Sequence, residues 1–158
     1  MTEYDIIQAL GYHLYLKYTC IPNVLMFGDG CTEYEADFIY INKDKQALTE
    51  VEVKTSIEDF KRDFSKKRYH DCEHVKYFYY AMPIDVYEKH RQFVDDKLNE
   101  VGAGLITISE IDTFDFRGNL CCVNKYEKRA KARKDCVAMT EEQYVGYLRI
   151  GCMKWVSR

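Results

Sequence analysis

Apolar positions near the start of the chain recur at helical spacing, with Ile6, Ile7, Leu10, Leu14 and Tyr15 forming one stripe. Residues 2–18 therefore read as a helix. Thr2 is its N-cap, and Glu3 and Asp5 occupy the first turn, where the helix dipole favours acids. Pro22 ends the connection, and Asn23–Phe27 reads as a first strand before the turn Gly28-Asp29-Gly30. The period then shortens to two. Glu35–Ile41 and Leu48–Lys54 alternate on either side of the polar stretch Asn42–Ala47, which is the pattern of a β-hairpin. Thr55 or Ser56 caps a second helix, with Glu58 or Asp59 completing a capping box and Ile57, Phe60 and Phe64 on the buried face.

Val75–Met82 is almost continuously apolar and aromatic, as expected of a strand covered on both faces. Ile84–Glu100 reads as a helix, Gly104–Ser109 as a strand, and Phe114–Val123 as a short strand pair around Arg117-Gly118-Asn119. Thr140 opens a last helix, with Gln143 completing its capping box and Tyr144, Leu148 and Cys152 facing inward. The order αβββαβ, followed by further helices and strands, places the chain in the α/β class with a mixed central sheet.

The hairpin concentrates the chemistry. With the turn centred between Asp44 and Lys45, Ile41 falls opposite Leu48 and Asp37 opposite Glu52. Directly opposed residues of an antiparallel pair have Cβ atoms about 5 Å apart. On the second strand Glu50, Glu52 and Lys54 share one face, with Val51 and Val53 on the other. Two carboxylates this close repel, and either one takes up a proton or a cation sits between them. Such hard oxygen ligands suit Mg²⁺ or Mn²⁺ together with a phosphate. Lys54 beside them has the charge to orient a water and to stabilise a phosphate. The same five residues, Glu50-Val51-Glu52-Val53-Lys54, also suit an ordinary half-exposed strand.

Asp37 followed across a hairpin by Glu52-Val53-Lys54 resembles the D…(D/E)-x-K signature of the PD-(D/E)XK nuclease superfamily, with Ala36-Asp37 where many members have Pro-Asp. More narrowly, the middle half of the chain resembles the MmcB-like DNA-repair family. That likeness rests on Glu52, Lys54, Thr55, Ser56, Asp59, Phe60, Asp63, Tyr69, Cys72, Tyr77–Pro83 and Gly104-Leu105-Ile106. Glu35 departs from it, standing where such members often carry a basic residue. The resemblance implies a restriction-endonuclease-like core with C-terminal additions. It implies a metal-dependent deoxyribonuclease acting in repair or in the processing of ends or branches. Asp37 and Glu52 would bind Mg²⁺ or Mn²⁺, the Val53 carbonyl would add a ligand, and Lys54 would serve the attacking water. An acid from the first helix, Glu3 or Asp5, sometimes completes such a site; capping the helix is their other role. The alternative is a nuclease-fold DNA-binding or complex-forming subunit without activity.

Composition refines this picture. The 158 residues are one domain's worth, unusually aromatic with 14 Tyr and 8 Phe. No apolar run approaches the ~20 residues needed to span a bilayer, so no membrane association is expected. No charged–apolar–small leader opens the chain. Seven cysteines without paired C-x-x-C spacing read as reduced, mostly buried thiols, which points to a cytoplasmic protein. The four histidines look scattered, and a zinc set from Cys72, His74, Cys121 and Cys122 matches no ligand spacing.

The net charge of −3 leaves any contact with DNA to local patches. Lys61, Lys66, Lys67 and Arg68 crowd the second helix and its end, beside the candidate site. A second basic run, Lys125–Lys134, would line one side of a helix with Lys128, Lys131 and Lys134, or with Arg129 and Arg133. Both runs equally suit solvated helix faces. A homodimer is compatible with the resemblance, since many such enzymes pair to cut two strands.

Overall fold

A computed structural model describes residues 1–27, 33–42, 47–65, 70–111 and 120–156. Helix α1 (Glu3–Leu14) starts at the expected N-cap, Thr2, which also forms a reciprocal capping box with Asp5. The Asp5 N–H donates to Thr2 Oγ1 at 3.3 Å, and the Thr2 N–H donates to the Asp5 carboxylate at 2.6 Å. The helix stops at Leu14, short of residue 18, because Tyr15 and Leu16 meet solvent and find no core to hold another turn. Strand β1 (Thr19–Leu25) begins earlier than expected and contains Pro22. A proline is tolerated there because β1 is an edge strand with one side free of ladder hydrogen bonds.

Strands β2 (Glu35–Asn42) and β3 (Ala47–Val53) pair antiparallel with Ile41 opposite Leu48 and Phe38 opposite Val51. That is the register expected from the alternation. The turn residues 43–46 lie outside the described residues, as do Gly28-Asp29-Gly30 and Arg117-Gly118-Asn119. Helix α2 (Ile57–Asp63) starts at Ser56, whose side chain accepts the Asp59 N–H at 3.2 Å. Strand β4 (Val75–Pro83), helix α3 (Ile84–Val101) and strand β5 (Gly104–Ile111) follow, and then strand β6 (Leu120–Lys128) and helix α4 (Glu141–Val156). The strands form one mixed sheet in the order β1-β2-β3-β4-β5-β6. Its centre, β3-β4-β5, is parallel, while β1, β2 and β6 run antiparallel to their neighbours. This six-stranded α/β arrangement with four helices among the described residues is consistent with a restriction-endonuclease-like core.

Both faces of the sheet are covered. On one, α1 buries Ile6, Ile7, Leu10 and Leu14 against Phe38, Val51, Val53, Ala81, Ile106 and Ile108. Each such side chain is worth about 1.5–3 kcal/mol of transfer free energy. On the other face, Ile57 and Phe60 of α2, Val94 and Leu98 of α3 and Tyr147 of α4 pack over Ile39, Ile41, Leu48, Tyr80 and Leu105. Strand β3 lies between the layers, and every residue from Leu48 to Val53 is buried. The half-exposed strand that the alternation also allowed is thereby excluded.

Three expectations are corrected. Lys125–Lys134 is not a helix. Its first part continues β6, where pairing with β5 satisfies the backbone, and the rest is irregular. That irregular part is tied down by the Arg133 N–H on the Lys76 carbonyl and by Arg133 Nη2 on the His70 carbonyl, 2.7 Å away. In α4, Tyr147 is the fully buried residue and Cys152 is exposed, because the helix turns Gly146 toward Phe27 and Gly151 toward Ile21 of β1, where a Cβ would stand 3.2 and 3.3 Å from those side chains. Of the described cysteines only Cys72 is buried, and all six are free thiols. Thr140 and Gln143 do exchange the hydrogen bonds of a capping box, at 2.8 and 3.2 Å.

Gly104 opens β5 at a close approach. A Cβ there would meet the Tyr79 ring and stand 2.7 Å from the Ala130 backbone nitrogen. The backbone of Ala130 cannot swing aside as a side chain can. Gly104→Ala is therefore expected to destabilise the fold by about 1–3 kcal/mol, read as a lower denaturant midpoint with an unchanged m-value.

A buried ring of acids, a lysine and a histidine as candidate functional site

The period of two places Asp37, Glu50, Glu52 and Lys54 on the α2 side of the sheet. There Glu50 pairs with Phe78 and Glu52 with Tyr80 of β4. Glu50, Glu52 and Lys54 are 0%, 2% and 3% exposed, and Asp37 is the more accessible, half-buried member. The Asp37 carboxylate accepts the Val53 N–H at 2.8 Å, across the hairpin from its own strand. Lys54 Nζ donates to Glu52 Oε1 at 2.7 Å and to Asp63 Oδ1 at 3.2 Å. The hairpin thus brings Asp37, Glu52 and Lys54 together, and α2 adds Asp63 from its last turn.

The ring closes through residues the sequence did not single out as ligands. Glu50 Oε2 accepts the Tyr34 hydroxyl at 2.7 Å, and Asp63 Oδ2 accepts the Tyr80 hydroxyl at 2.7 Å. His70, in the left-handed region at φ 61°, hydrogen-bonds Glu50 Oε1 through Nδ1 and faces Asp63 Oδ2 through Nε2 at 3.4 Å. One donor atom from each of Glu50, Glu52 and His70 lies within 4.8 Å of the other two, so the three could hold a metal ion. Glu50 was legible as a neighbour of Glu52 on the same face, and Asp63 as part of the Asp-Phe-x-x-Asp pattern. Nothing in the spacing marks His70, which arrives by a loop.

Burial sets the electrostatics. Glu52 is pushed up to about 7, first by loss of water and then by the Asp37 carboxylate, with Lys54 pulling the other way. Asp37 is raised by burial and by Glu3, against the lowering effect of the Val53 N–H. Burial works to lower Lys54, but the Glu52 and Asp63 carboxylates outweigh it and hold the ammonium charged. His70 is likewise raised, its burial overcome by Asp63 and Glu50. Four carboxylates thus face one lysine and a histidine in a region with little water. Removing only the lysine would strand buried charge, a loss on the order of 3–5 kcal/mol.

The remaining candidate acids and bases lie further out. Glu35 is exposed, Asp5 is engaged in its cap, and Glu3 is exposed yet close enough to raise Asp37. Lys61 is exposed with its ammonium 5.5 Å from the Phe93 ring centre. Lys128 Nζ donates to Asn99 at 2.6 Å, Arg129 is exposed, and the exposed Lys131 lays its stem beside Gly102. Lys66, Lys67, Arg68 and Tyr69 lie outside the described residues. Among those described, no helix is long and apolar enough to cross a membrane.

No protein-family model matches the chain, and no curated protein does. Among solved structures it is similar to the SPO1766 protein of unknown function from Silicibacter pomeroyi, with a TM-score of 0.57 and 14% identity. The match covers 97% of this chain and 85% of that one. At this identity the likeness establishes a shared fold and no more.

The raised acids dictate how stability changes with pH. Between its ordinary value of 4.5 and about 7, Glu52 keeps a proton in the folded protein that the unfolded chain has released. The native state then binds more protons, so stability falls as pH rises through this window. The raised His70 acts in the same sense above its ordinary value of 6.5. Metal-free protein is expected to lose on the order of 3 kcal/mol between pH 5 and pH 7.5. Denaturant titrations in EDTA would show it, and a stability flat across that range would contradict the burial assigned to Glu52.

Proposed function

We propose that the protein is a metal-dependent phosphodiester hydrolase acting on DNA. The observation that carries this reading is the meeting of Asp37 and Glu52 from paired strands, with Lys54 ion-paired to Glu52 at 2.7 Å. The donor set fits a hard divalent cation. Both ligand atoms are carboxylate oxygens, and burial raises both carboxyls, Glu52 further through the Asp37 charge, which a cation would offset. Mg²⁺ or Mn²⁺ held by Asp37 and Glu52, with the Val53 carbonyl beside them, would supply charge neutralisation at the phosphate and a more acidic water.

The chain's own residues do the rest. Asp37, half-buried, marks the side from which a phosphate approaches. The Val53 N–H fixes the Asp37 carboxylate, and Asp63, itself held by Tyr80, fixes the Lys54 ammonium. Lys54 then stands ready to stabilise negative charge developing on the phosphate and to orient the attacking water. Exposed Lys61, Arg129 and Lys131, with the half-buried Lys128, offer positive charge for flanking phosphates.

A second reading, a nuclease-fold subunit that binds DNA or a partner without cutting, draws on one observation. Glu52 and Lys54 are 2% and 3% exposed, and Lys54 is satisfied by two carboxylates.

Plasmid and single-stranded DNA incubated with Mg²⁺ or Mn²⁺, against EDTA, separate the two. Cleavage is expected with metal only, reduced at least about 100-fold in Asp37→Asn and Glu52→Gln. In Lys54→Met, which keeps the stem but not the charge, it should fall similarly. Full activity in Asp37→Asn rules out the hydrolase site, and binding without cleavage supports the second reading.

The basic patch has its own readout. Lys128, Arg129 and Lys131 changed together to Gln should weaken DNA binding and flatten the slope of log K against log salt. The expected change is roughly 0.7–0.9 for each phosphate that these side chains no longer neutralise. An unchanged slope with the fold intact would remove these residues from the interface.

A further inference from the structure

The ring around His70 has a chemistry that Asp37 and the nuclease signature do not use. We infer that Glu50, Glu52 and His70 form a second, nitrogen-containing centre for a transition-metal ion of the Mn²⁺, Fe²⁺, Co²⁺ or Zn²⁺ class. It meets the proposed Asp37 site at Glu52. The two do not depend on each other, since a metal can sit here whether or not DNA is cut.

The geometry comes first. Three donors from three places in the chain, two on β3 and one on the loop before β4, converge within 4.8 Å of one another. All three residues are at least nine-tenths buried. An imidazole among carboxylates favours borderline transition metals over Mg²⁺ or Ca²⁺, which prefer oxygen alone.

The outer shell is already assembled. A metal-bound histidine generally gives its other ring N–H to a carboxylate or carbonyl, which sets the tautomer and the ring plane. His70 turns Nδ1 toward Glu50 and Nε2 toward Asp63 Oδ2 at 3.4 Å. Asp63 is in turn held by the Tyr80 hydroxyl and by Lys54. Glu50 is oriented by the Tyr34 hydroxyl through its other oxygen, and Glu52 by Lys54. Lys54 therefore joins a ligand carboxylate to the carboxylate behind the imidazole. The His70 backbone is fixed from outside as well, by Arg133 Nη2 on its carbonyl at 2.7 Å.

Charge points the same way. Asp37, Glu50, Glu52 and Asp63 bring four carboxylates into one region against the single ammonium of Lys54, with His70 beside them. Buried carboxylates in excess of cations are stable only with protons or a metal ion between them. A divalent ion at Glu50, Glu52 and His70 would offset most of that excess, taking the place of the proton between His70 Nδ1 and Glu50 Oε1, while Tyr34 holds the other Glu50 oxygen and Tyr80 holds Asp63.

The test uses Co²⁺ as probe on EDTA-stripped, dialysed full-length protein. The wild type should bind Co²⁺ with visible absorption of a low-coordinate nitrogen–oxygen site, and equimolar Zn²⁺ but not Mg²⁺ should displace it. Glu50→Gln and His70→Asn should lose that absorption, asparagine being chosen because it tolerates the left-handed backbone of residue 70. Asp63→Asn should weaken binding about 10–100-fold as an outer-shell change. Asp37→Asn should leave the spectrum in place, which separates this centre from the proposed nuclease metal. Should the variants fail to fold, pulsed electron paramagnetic resonance on wild type loaded with Mn²⁺ reads the same feature as a coupling to imidazole nitrogen. Absence of Co²⁺ binding in the wild type, ready displacement by Mg²⁺, or bound Mn²⁺ without nitrogen coupling would each overturn the inference. Cleavage of DNA with Mg²⁺ alongside any of these results would leave the nuclease reading standing without the second centre.

Discussion

The ion pair of Lys54 with Glu52 and Asp63 is the constraint on which the rest of the structure turns. It lies in the interior of a sheet covered on both faces, where water is scarce and an uncompensated charge is costly. Strand β3 and the residue that follows it supply two of its members and the end of α2 the third, so the ion pair ties α2 to the strand it covers. Tyr80 from β4 and His70 from the preceding loop then satisfy Asp63 from other directions. A strand that would elsewhere face solvent with its Glu and Lys residues has instead been drawn into the core. Its polar side chains are tolerable there because they meet one another.

Such an arrangement is a weak route to stability. Replacing buried ion pairs with well-packed apolar groups is often neutral or stabilising, whereas removing a single partner is strongly destabilising. The apolar layers on either side hold the fold together, with Phe38, Val51 and Val53 against α1, and Ile57 and Phe60 over the other face. Keeping four carboxylates at the centre therefore points to function. Burial raises the acids Asp37 and Glu52 above their ordinary values, and a cation at the proposed site would offset that. A left-handed His70 clamped by Arg133 belongs to the same pattern, since a strained residue persists only where its surroundings over-determine it.

Much of this was legible from alternation alone. The pairing of Ile41 with Leu48 followed from the position of the polar turn, and that register carried Asp37 toward Val53 and Glu52. A slip of one residue would have sent Glu50, Glu52 and Lys54 to the α1 face, among Ile6, Leu10 and Leu14. The capping box of α4 and the N-caps Thr2 and Ser56 were readable because they depend on residues three apart. The basic stretch from Lys125 suggested a helix because charge spacing fits several periods. Only the open edge of β5 shows that the chain must continue as a strand there. Cys152 was misplaced for a related reason: two glycines let α4 approach β1 on a different side of the helix.

The sequence by itself determined what is local: the order of elements, the hairpin register, the helix starts, and the meeting of Asp37, Glu52 and Lys54 near one strand end. These rest on interactions between residues a few positions apart or directly across a turn, where spacing and chemistry leave few choices. Only the tertiary structure decided that β3 is buried on both faces and that Asp63, Tyr34, Tyr80 and His70 complete the ring around Glu50 and Glu52. Those contacts join a helix end, a loop and separate strands through packing. Their partners are set by how α2 and His70 lie over the sheet, a choice made by the shape of the whole core that no short stretch of sequence encodes.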